Sequence, residues 1–184
     1  GVIVIIDEAF IDFVERRSNF SLVQEASQRD NLIVLGSLTK FFSLAGLRLG
    51  YAVANRCLVK KLDLSKYPWN VNCFAQVAGI AAMRDKSFIS ESKRAIKESR
   101  QHLFEALSRT GFLKPYPSEA NFILIEIEHP GCSSIWLKEE LLKQGFLIRD
   151  GSSFRGLNDR FFRLAVRSKL ENEQLVQALR EILL

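Results

Sequence analysis

Lys40 stands in the run Ser37-Leu38-Thr39-Lys40, and Arg48 follows eight residues later in Gly46-Leu47-Arg48-Leu49-Gly50-Tyr51. A lysine amine condenses with aldehydes, while a serine hydroxyl and a planar guanidinium fork can hold a phosphate group. Aldehyde and phosphate together describe pyridoxal phosphate, a cofactor held through a lysine and partnered at its ring nitrogen by an acid. An acid is available upstream, because Asp7 closes the apolar run Val2-Ile3-Val4-Ile5-Ile6. Thr39 adds a second hydroxyl beside the lysine. Taken singly, Lys40 is one of 26 Lys and Arg residues and reads as a solvated side chain. Asp7 alone reads as a helix cap or half of an ion pair. Together, at this spacing, they read as a cofactor site.

Such a site needs elements to position it. Residues 2–6 predict a strand buried on both faces of a parallel sheet. Asp7 and Glu8 then lie at its C-terminal end, where open α/β sheets place ligands. Residues 31–37 and 49–54 predict two further strands, and the turn over 39–45, released by Gly46, carries the lysine between them. Residues 21–29 predict a helix with Ser21 as N-cap, and residues 55–66 a short helix closed by Pro68. An Ala-rich stretch over 74–83 is followed, after Asp85, by a long helix to about Arg109. Ala95, Ile96, Leu103, Phe104 and Leu107 are its apolar stripe, and Thr110-Gly111 ends it.

The composition then changes. Strands are expected at 122–127, 146–149 and 161–166, with helices at 134–143 and 171–183, forming a small α+β unit with a short antiparallel sheet. The boundary is placed near residue 90. Residues 1–90 are then the C-terminal part of a cofactor-binding large domain, and residues 91–184 a small C-terminal domain. Gly1 opens directly onto a strand whose neighbours this chain scarcely supplies, so the chain is expected to be the C-terminal part of something larger.

Arg149, Arg163 and Arg167 lie on or beside strands of the second unit. An arginine within Phe162-Arg163-Leu164-Ala165-Val166 is costly to bury unless paired. Either it meets an internal carboxylate, or it awaits one from a substrate. Arg149, followed by Asp150-Gly151-Ser152-Ser153, could bind a second anion in a polar loop. Two separated arginines suit a substrate with two anionic groups.

Composition narrows the classes. Of 184 residues, 47% are hydrophobic and 26% charged, ordinary for a globular protein with a sizeable core. The formal charge of +5 is scattered among acids without a basic tract, which argues against nucleic acid and fits an anionic small substrate. Cys57, Cys73 and Cys132 are far apart, and His102 and His129 do not flank them at ligand spacing, so neither a metal site nor a disulfide framework is expected. A reducing cytoplasm is the expected location. No apolar run approaches the roughly 20 residues that span a bilayer, and no signal peptide is read at the start.

These motifs together resemble fold-type I pyridoxal-phosphate enzymes, the class I/II aminotransferase superfamily. The resemblance covers essentially the whole chain but only the C-terminal half of such an enzyme. The nearest groups are the threonine-phosphate decarboxylases of cobalamin synthesis and the histidinol-phosphate aminotransferases. The resemblance implies that Lys40 is the lysine that condenses with the cofactor and that Asp7 pairs with the pyridine nitrogen. It implies further that Ser37 and Arg48 hold the phosphate, to which Thr39 could add a hydroxyl, that Arg163 grips the substrate carboxylate and Arg149 a substrate phosphate, and that Asn72 lies near the cofactor. A homodimer is implied as well. Asp7-Glu8-Ala9-Phe10, Pro68-Trp69-Asn70-Val71-Asn72 and Phe162-Arg163-Leu164-Ala165-Val166-Arg167 lean toward the decarboxylases. The aminotransferases usually carry a tyrosine where Phe10 stands. The implied reaction is decarboxylation of L-threonine O-3-phosphate to (R)-1-amino-2-propanol phosphate, with transamination as the alternative. A non-catalytic anion-binding or dimerisation half is the alternative of another class.

Overall fold

An apolar run ending in an acid becomes strand β1, Val4–Asp7, and Leu32–Ser37 becomes β2 beside it. The two pair in parallel, Val4 opposite Leu32 and Asp7 opposite Leu35. The third strand, β3 (Gly50–Val53), pairs with β2 antiparallel, Ser37 opposite Gly50 and Gly36 opposite Tyr51. Parallel pairing needs a crossover of a dozen or more residues, usually helical. Residues 8–31 provide one between β1 and β2, including helix α1 (Val23–Gln28). The lysine turn between β2 and β3 holds only a single 3-10 turn, Ala45–Leu47, so the chain doubles back. The computed structural model describes residues 1–184 throughout.

Side chains alternate along strands, so Val4, Ile6, Leu32 and Val34 share one face of this sheet. Ala26 of α1 packs on that face, fully buried with Leu32 and Val34. Asp7, Leu35 and Ser37 share the other. β1 departs from the expectation of a strand buried on both faces: Val4 is 42% and Ile5 59% exposed. It is an edge strand here, hydrogen-bonded on one side only.

Ser21 is not the N-cap of α1, a position taken by Leu22, although its Oγ accepts the Val23 N–H at 3.4 Å. Its hydroxyl donates to Glu8 Oε2 at 2.8 Å, and Glu8 Oε1 accepts the Leu22 N–H at 2.7 Å. A carboxylate from the end of β1 therefore takes over the start of the helix, and Glu8 is only 7% exposed. Helices α2 (Arg56–Ser65) and α3 (Cys73–Arg84) have Asn55 and Asn72 as N-caps, accepting from the Leu58 and Ala75 N–H groups. Helix α4 spans Lys86–Ser108.

The chain divides into two units, Gly1–Lys93 and Arg94–Leu184. In the second, strands β4 (Leu113–Pro115), β5 (Phe122–Ile127), β6 (Arg149–Asp150) and β7 (Phe161–Ala165) form an antiparallel sheet in the order β4-β5-β7-β6. Ile123, Ile125 and Ile127 alternate onto one face. They are buried there with Leu137 and Leu141 of α5 (Ser134–Lys143) and Leu175 and Leu179 of α6 (Lys169–Leu183). α6 starts with a reciprocal Ser168–Glu171 capping box. Hydrogen bonds from Ser168 and Arg167 pull the Glu171 carboxyl down to about 2.

The strand expected at 146–149 shrinks to Arg149–Asp150. Gly145, at φ +84°, ends α5 in the left-handed conformation, and the Phe146 N–H closes on the Leu141 carbonyl at 2.9 Å. Helix termination thus takes a donor that a longer strand would have needed. β4 was not anticipated. It is only three residues long and lies at a sheet edge, where its proline is tolerated.

Candidate active site

The β2–β3 connection gathers hydroxyls and a guanidinium into a few residues. Ser37, the last residue of β2, has its Oγ 2.8 Å from Thr39 Oγ1 and accepts the Thr39 N–H at 3.2 Å. Lys40 follows, exposed and in no ion pair. Arg48 adopts a left-handed backbone, φ 57° and ψ 48°, immediately after the 3-10 turn. That conformation costs a non-glycine residue about 1 kcal/mol and turns the chain back into β3. Its Nη1 donates to the Ala45 carbonyl at 2.8 Å, and the remainder of the guanidinium is exposed.

Asp7 sits at the end of β1, on the sheet face it shares with Ser37. One carboxylate oxygen accepts the Ala9 N–H at 2.9 Å, which caps the turn after the strand. No ion pair engages it, so the carboxylate remains exposed. Asn72 is occupied at both ends of its amide. As N-cap of α3 it accepts from Ala75 at 2.8 Å, and its Nδ2 donates to the Leu47 carbonyl at 3.3 Å. It thereby braces the turn that carries Arg48. Phe10 stacks on Phe13 with ring centroids 6.3 Å apart.

A second set of residues escaped the sequence reading. Arg17 pairs with Asp12 at 2.6 Å and donates to the Tyr51 hydroxyl at 3.3 Å. Asp12 is raised above the usual carboxylate range by burial, against the opposing pull of Arg17 and then Lys93. With Phe41, Phe42 and Lys93 these residues line a cavity of about 210 Å³. The link matters because the Tyr51 ring covers Gly36, the residue before Ser37. A Cβ on Gly36 would lie 2.1 Å from Tyr51 Cζ. Gly36→Ala is expected to destabilise the protein by about 1–3 kcal/mol, the usual cost of overpacking. Chemical denaturation reads it, and Tyr51→Ala in the same chain should recover most of the added cost.

The second unit holds its own cluster. In the β6–β7 pair Arg149 lies directly opposite Arg163. Facing positions put their side chains on one face, and like charges there repel. Neither meets a carboxylate. Arg163 lies over the Phe122 ring at 4.7 Å, and Arg149 over Phe154 at 5.3 Å with one hydrogen bond to Ser153 Oγ at 3.1 Å. Of the two fates open to Arg163, an internal carboxylate is not the one found. Arg167 is committed elsewhere, paired with Glu171 at 2.7 Å.

The donor set in the first unit fits pyridoxal phosphate: two hydroxyls and a guanidinium for a phosphate, an unpaired amine for an aldehyde, and a carboxylate on the same face as Ser37 for a ring nitrogen. An α/β unit with Asp7 and Ser37 at strand ends and Thr39, Lys40 and Arg48 in the connection that follows suits a pyridoxal-phosphate-binding protein. The model of the family "Aminotransferase class I and II" matches residues 1–182, and the chain belongs to that family. Its cofactor is pyridoxal 5′-phosphate. A threonine-phosphate decarboxylase of Salmonella typhimurium is 35% identical over 181 residues, 98% of this chain and 48% of the relative. A histidinol-phosphate aminotransferase of Methanocaldococcus jannaschii shows the same identity and coverage. The crystal structure of the histidinol-phosphate aminotransferase from Clostridium acetobutylicum superposes with a TM-score of 0.91 at 36% identity, covering 98% of this chain and 54% of that one. The chain spans about half the length of the relatives it matches. No helix is long and apolar enough to cross a membrane.

Proposed function

We propose that the protein carrying this chain decarboxylates L-threonine O-3-phosphate to (R)-1-amino-2-propanol phosphate. The observation that carries this reading is the Arg149–Arg163 pair, two cations facing each other across β6 and β7 with no carboxylate between them. Threonine phosphate has a carboxylate and a phosphate to offer such a pair, whereas histidinol phosphate has a phosphate only. Arg163 grips the α-carboxylate and Arg149 the phosphate. When bound, pyridoxal phosphate supplies an electron sink for the bond broken at Cα. Asp7 keeps the ring nitrogen protonated, which an adjacent carboxylate favours. Lys40 holds the cofactor by its aldehyde and returns a proton to Cα once carbon dioxide has left. Ser37, Thr39 and Arg48 hold the phosphate of the cofactor.

Phe10 supports the same reading, since it has no hydroxyl to offer the ring oxygen that the aminotransferases bind with a tyrosine. Relatives of both names at equal identity keep transamination as the second reading. A keto-acid acceptor with two carboxylates would also suit two arginines. A homodimer belongs to either reading through the family.

Product analysis separates the two. The complete protein, given L-threonine phosphate and pyridoxal phosphate, is expected to release carbon dioxide and the amine with no keto-acid acceptor. A keto product that depends on 2-oxoglutarate would move it to the aminotransferases.

A further inference from the structure

We infer that Ser134 and Asp150 are positioning residues for the arginine pair: Ser134 holds the Asp150 carboxylate on the helix-covered face of the sheet, and so keeps Arg149 and Arg163 available to an anion. This inference rests on the proposed binding of an anionic substrate by those arginines.

The need for such a device follows from the chain itself. Asp150 is the next residue after Arg149, and a carboxylate that close would neutralise the site if it reached the same face. Strand alternation sends it to the opposite face. Asp150 lies opposite Phe162, which is fully buried, while Arg149 lies opposite the half-buried Arg163. Alternation in a strand of two residues at a sheet edge is a weak restraint, however, and Asp150 opens directly into a loop. Three hydrogen bonds add to it. Ser134 Oγ donates to Oδ1 at 2.5 Å, Ser152 Oγ donates to Oδ2 at 2.5 Å, and the Ser152 N–H donates to Oδ1 at 3.1 Å.

Ser134 is the anchor of the three because it is fully buried, at the first turn of α5, whereas Ser152 is an exposed loop residue. The hydrogen bond from Ser134, followed by that from Ser152, holds the Asp150 carboxyl below its usual range. Gly151 helps to seat the loop: its N–H donates to the Phe161 carbonyl at 2.8 Å, and a Cβ there would lie 2.5 Å from that oxygen.

A carboxylate on the arginines' own face is held away by other donors. Glu126 of β5 lies opposite Phe161, and its Oε2 accepts from the Tyr116 hydroxyl at 2.6 Å and the Lys114 ammonium at 3.2 Å. Asp150 and Glu126 are thus each engaged by other donors.

The test is binding of L-threonine phosphate and of inorganic phosphate to the complete protein, by calorimetry at one low ionic strength, where exposed charges are least screened. Ser134→Ala is expected to weaken binding of both about five- to tenfold, as a freed carboxylate near a guanidinium competes with the ligand. Ser134→Ala combined with Asp150→Asn should bind within about twofold of the unaltered protein, because an amide brings no charge. A purely structural role for Ser134 predicts no such recovery. Should Ser134→Ala fail to fold, Asp150→Asn alone decides: unchanged or tighter binding is expected, and a loss of about fivefold or more overturns the inference. Equal binding by Ser134→Ala and the unaltered protein, or a double variant as weak as the single one, overturns it as well. Arg149→Gln keeps this result apart from the reading beneath it. If that variant binds phosphate as well as the unaltered protein does, the anion assignment itself is at fault.

Discussion

Lys40→Ala in the complete protein is expected to lower kcat by about four orders of magnitude or more, with little change in stability. The size of the effect follows from the two tasks given to one amine. In the proposed reaction it would hold the cofactor through its aldehyde and would move the proton at Cα; acid–base transfer alone is worth about 10²–10⁴-fold. Stability should stay within about 0.5 kcal/mol, as for surface substitutions away from packed features, because Lys40 is exposed and leaves no ion partner behind. Ser37, Thr39 and Arg48, the proposed phosphate ligands, remain, so the variant should still bind pyridoxal phosphate, reversibly and more weakly. Steady-state turnover and a titration of cofactor absorbance read the two halves. A variant that kept more than about a hundredth of the activity would remove Lys40 from the chemistry. Under the non-catalytic alternative, the same substitution should leave the protein's function intact.

Arg163→Gln is expected to reduce kcat/KM by about 10²–10³-fold for L-threonine phosphate. Truncating one member of a hydrogen-bonded charge pair costs about 2–5 kcal/mol, and each 1.36 kcal/mol is about tenfold in rate. Arg163→Lys should fall between, since an ammonium keeps the charge and loses the two-pronged geometry. The folding stability carries an independent signature. The substitution removes a cation–π contact with Phe122, worth about 0.5–1 kcal/mol at such sites. It also removes a like-charge repulsion from Arg149, of about 0.2–1 kcal/mol. The two nearly cancel, so the denaturation midpoint should barely move while activity collapses. A stability loss of about 2 kcal/mol or more would instead make Arg163 a structural residue, contrary to its role in the site.

The lysine motif was legible because its parts are near neighbours in the chain. Ser37, Thr39, Lys40 and Arg48 occupy one strand end and the turn that follows, and no distant element is needed to bring their types into view. Asp7 was legible for a related reason, as the acid closing an apolar strand. Glu8, one residue on, was not. Its partners Ser21 and Leu22 lie beyond a loop, and only the approach of α1 to the end of β1 shows that a distant carboxylate binds the Ser21 hydroxyl and the Leu22 N–H at the helix start. Asn72 read as a residue near the cofactor, and its cap of α3 and its reach to Leu47 became visible with the packing of that helix beside the turn.

In the second unit the arginines themselves stood out in the sequence, while their relation did not. That Arg149 faces Arg163 depends on β7 lying between β5 and β6 and on the register of a two-residue strand. The same pairing separates Asp150 from them. Residue type, alternation and turn chemistry act over a few bonds and are written in the chain order, so the element types, the cofactor motif and the charge of the arginine cluster could be read directly. Strand order, register and burial arise from contacts between residues far apart in the chain. They made β3 antiparallel, left β1 at an edge, closed Tyr51 over Gly36 and left two cations facing each other without an acid.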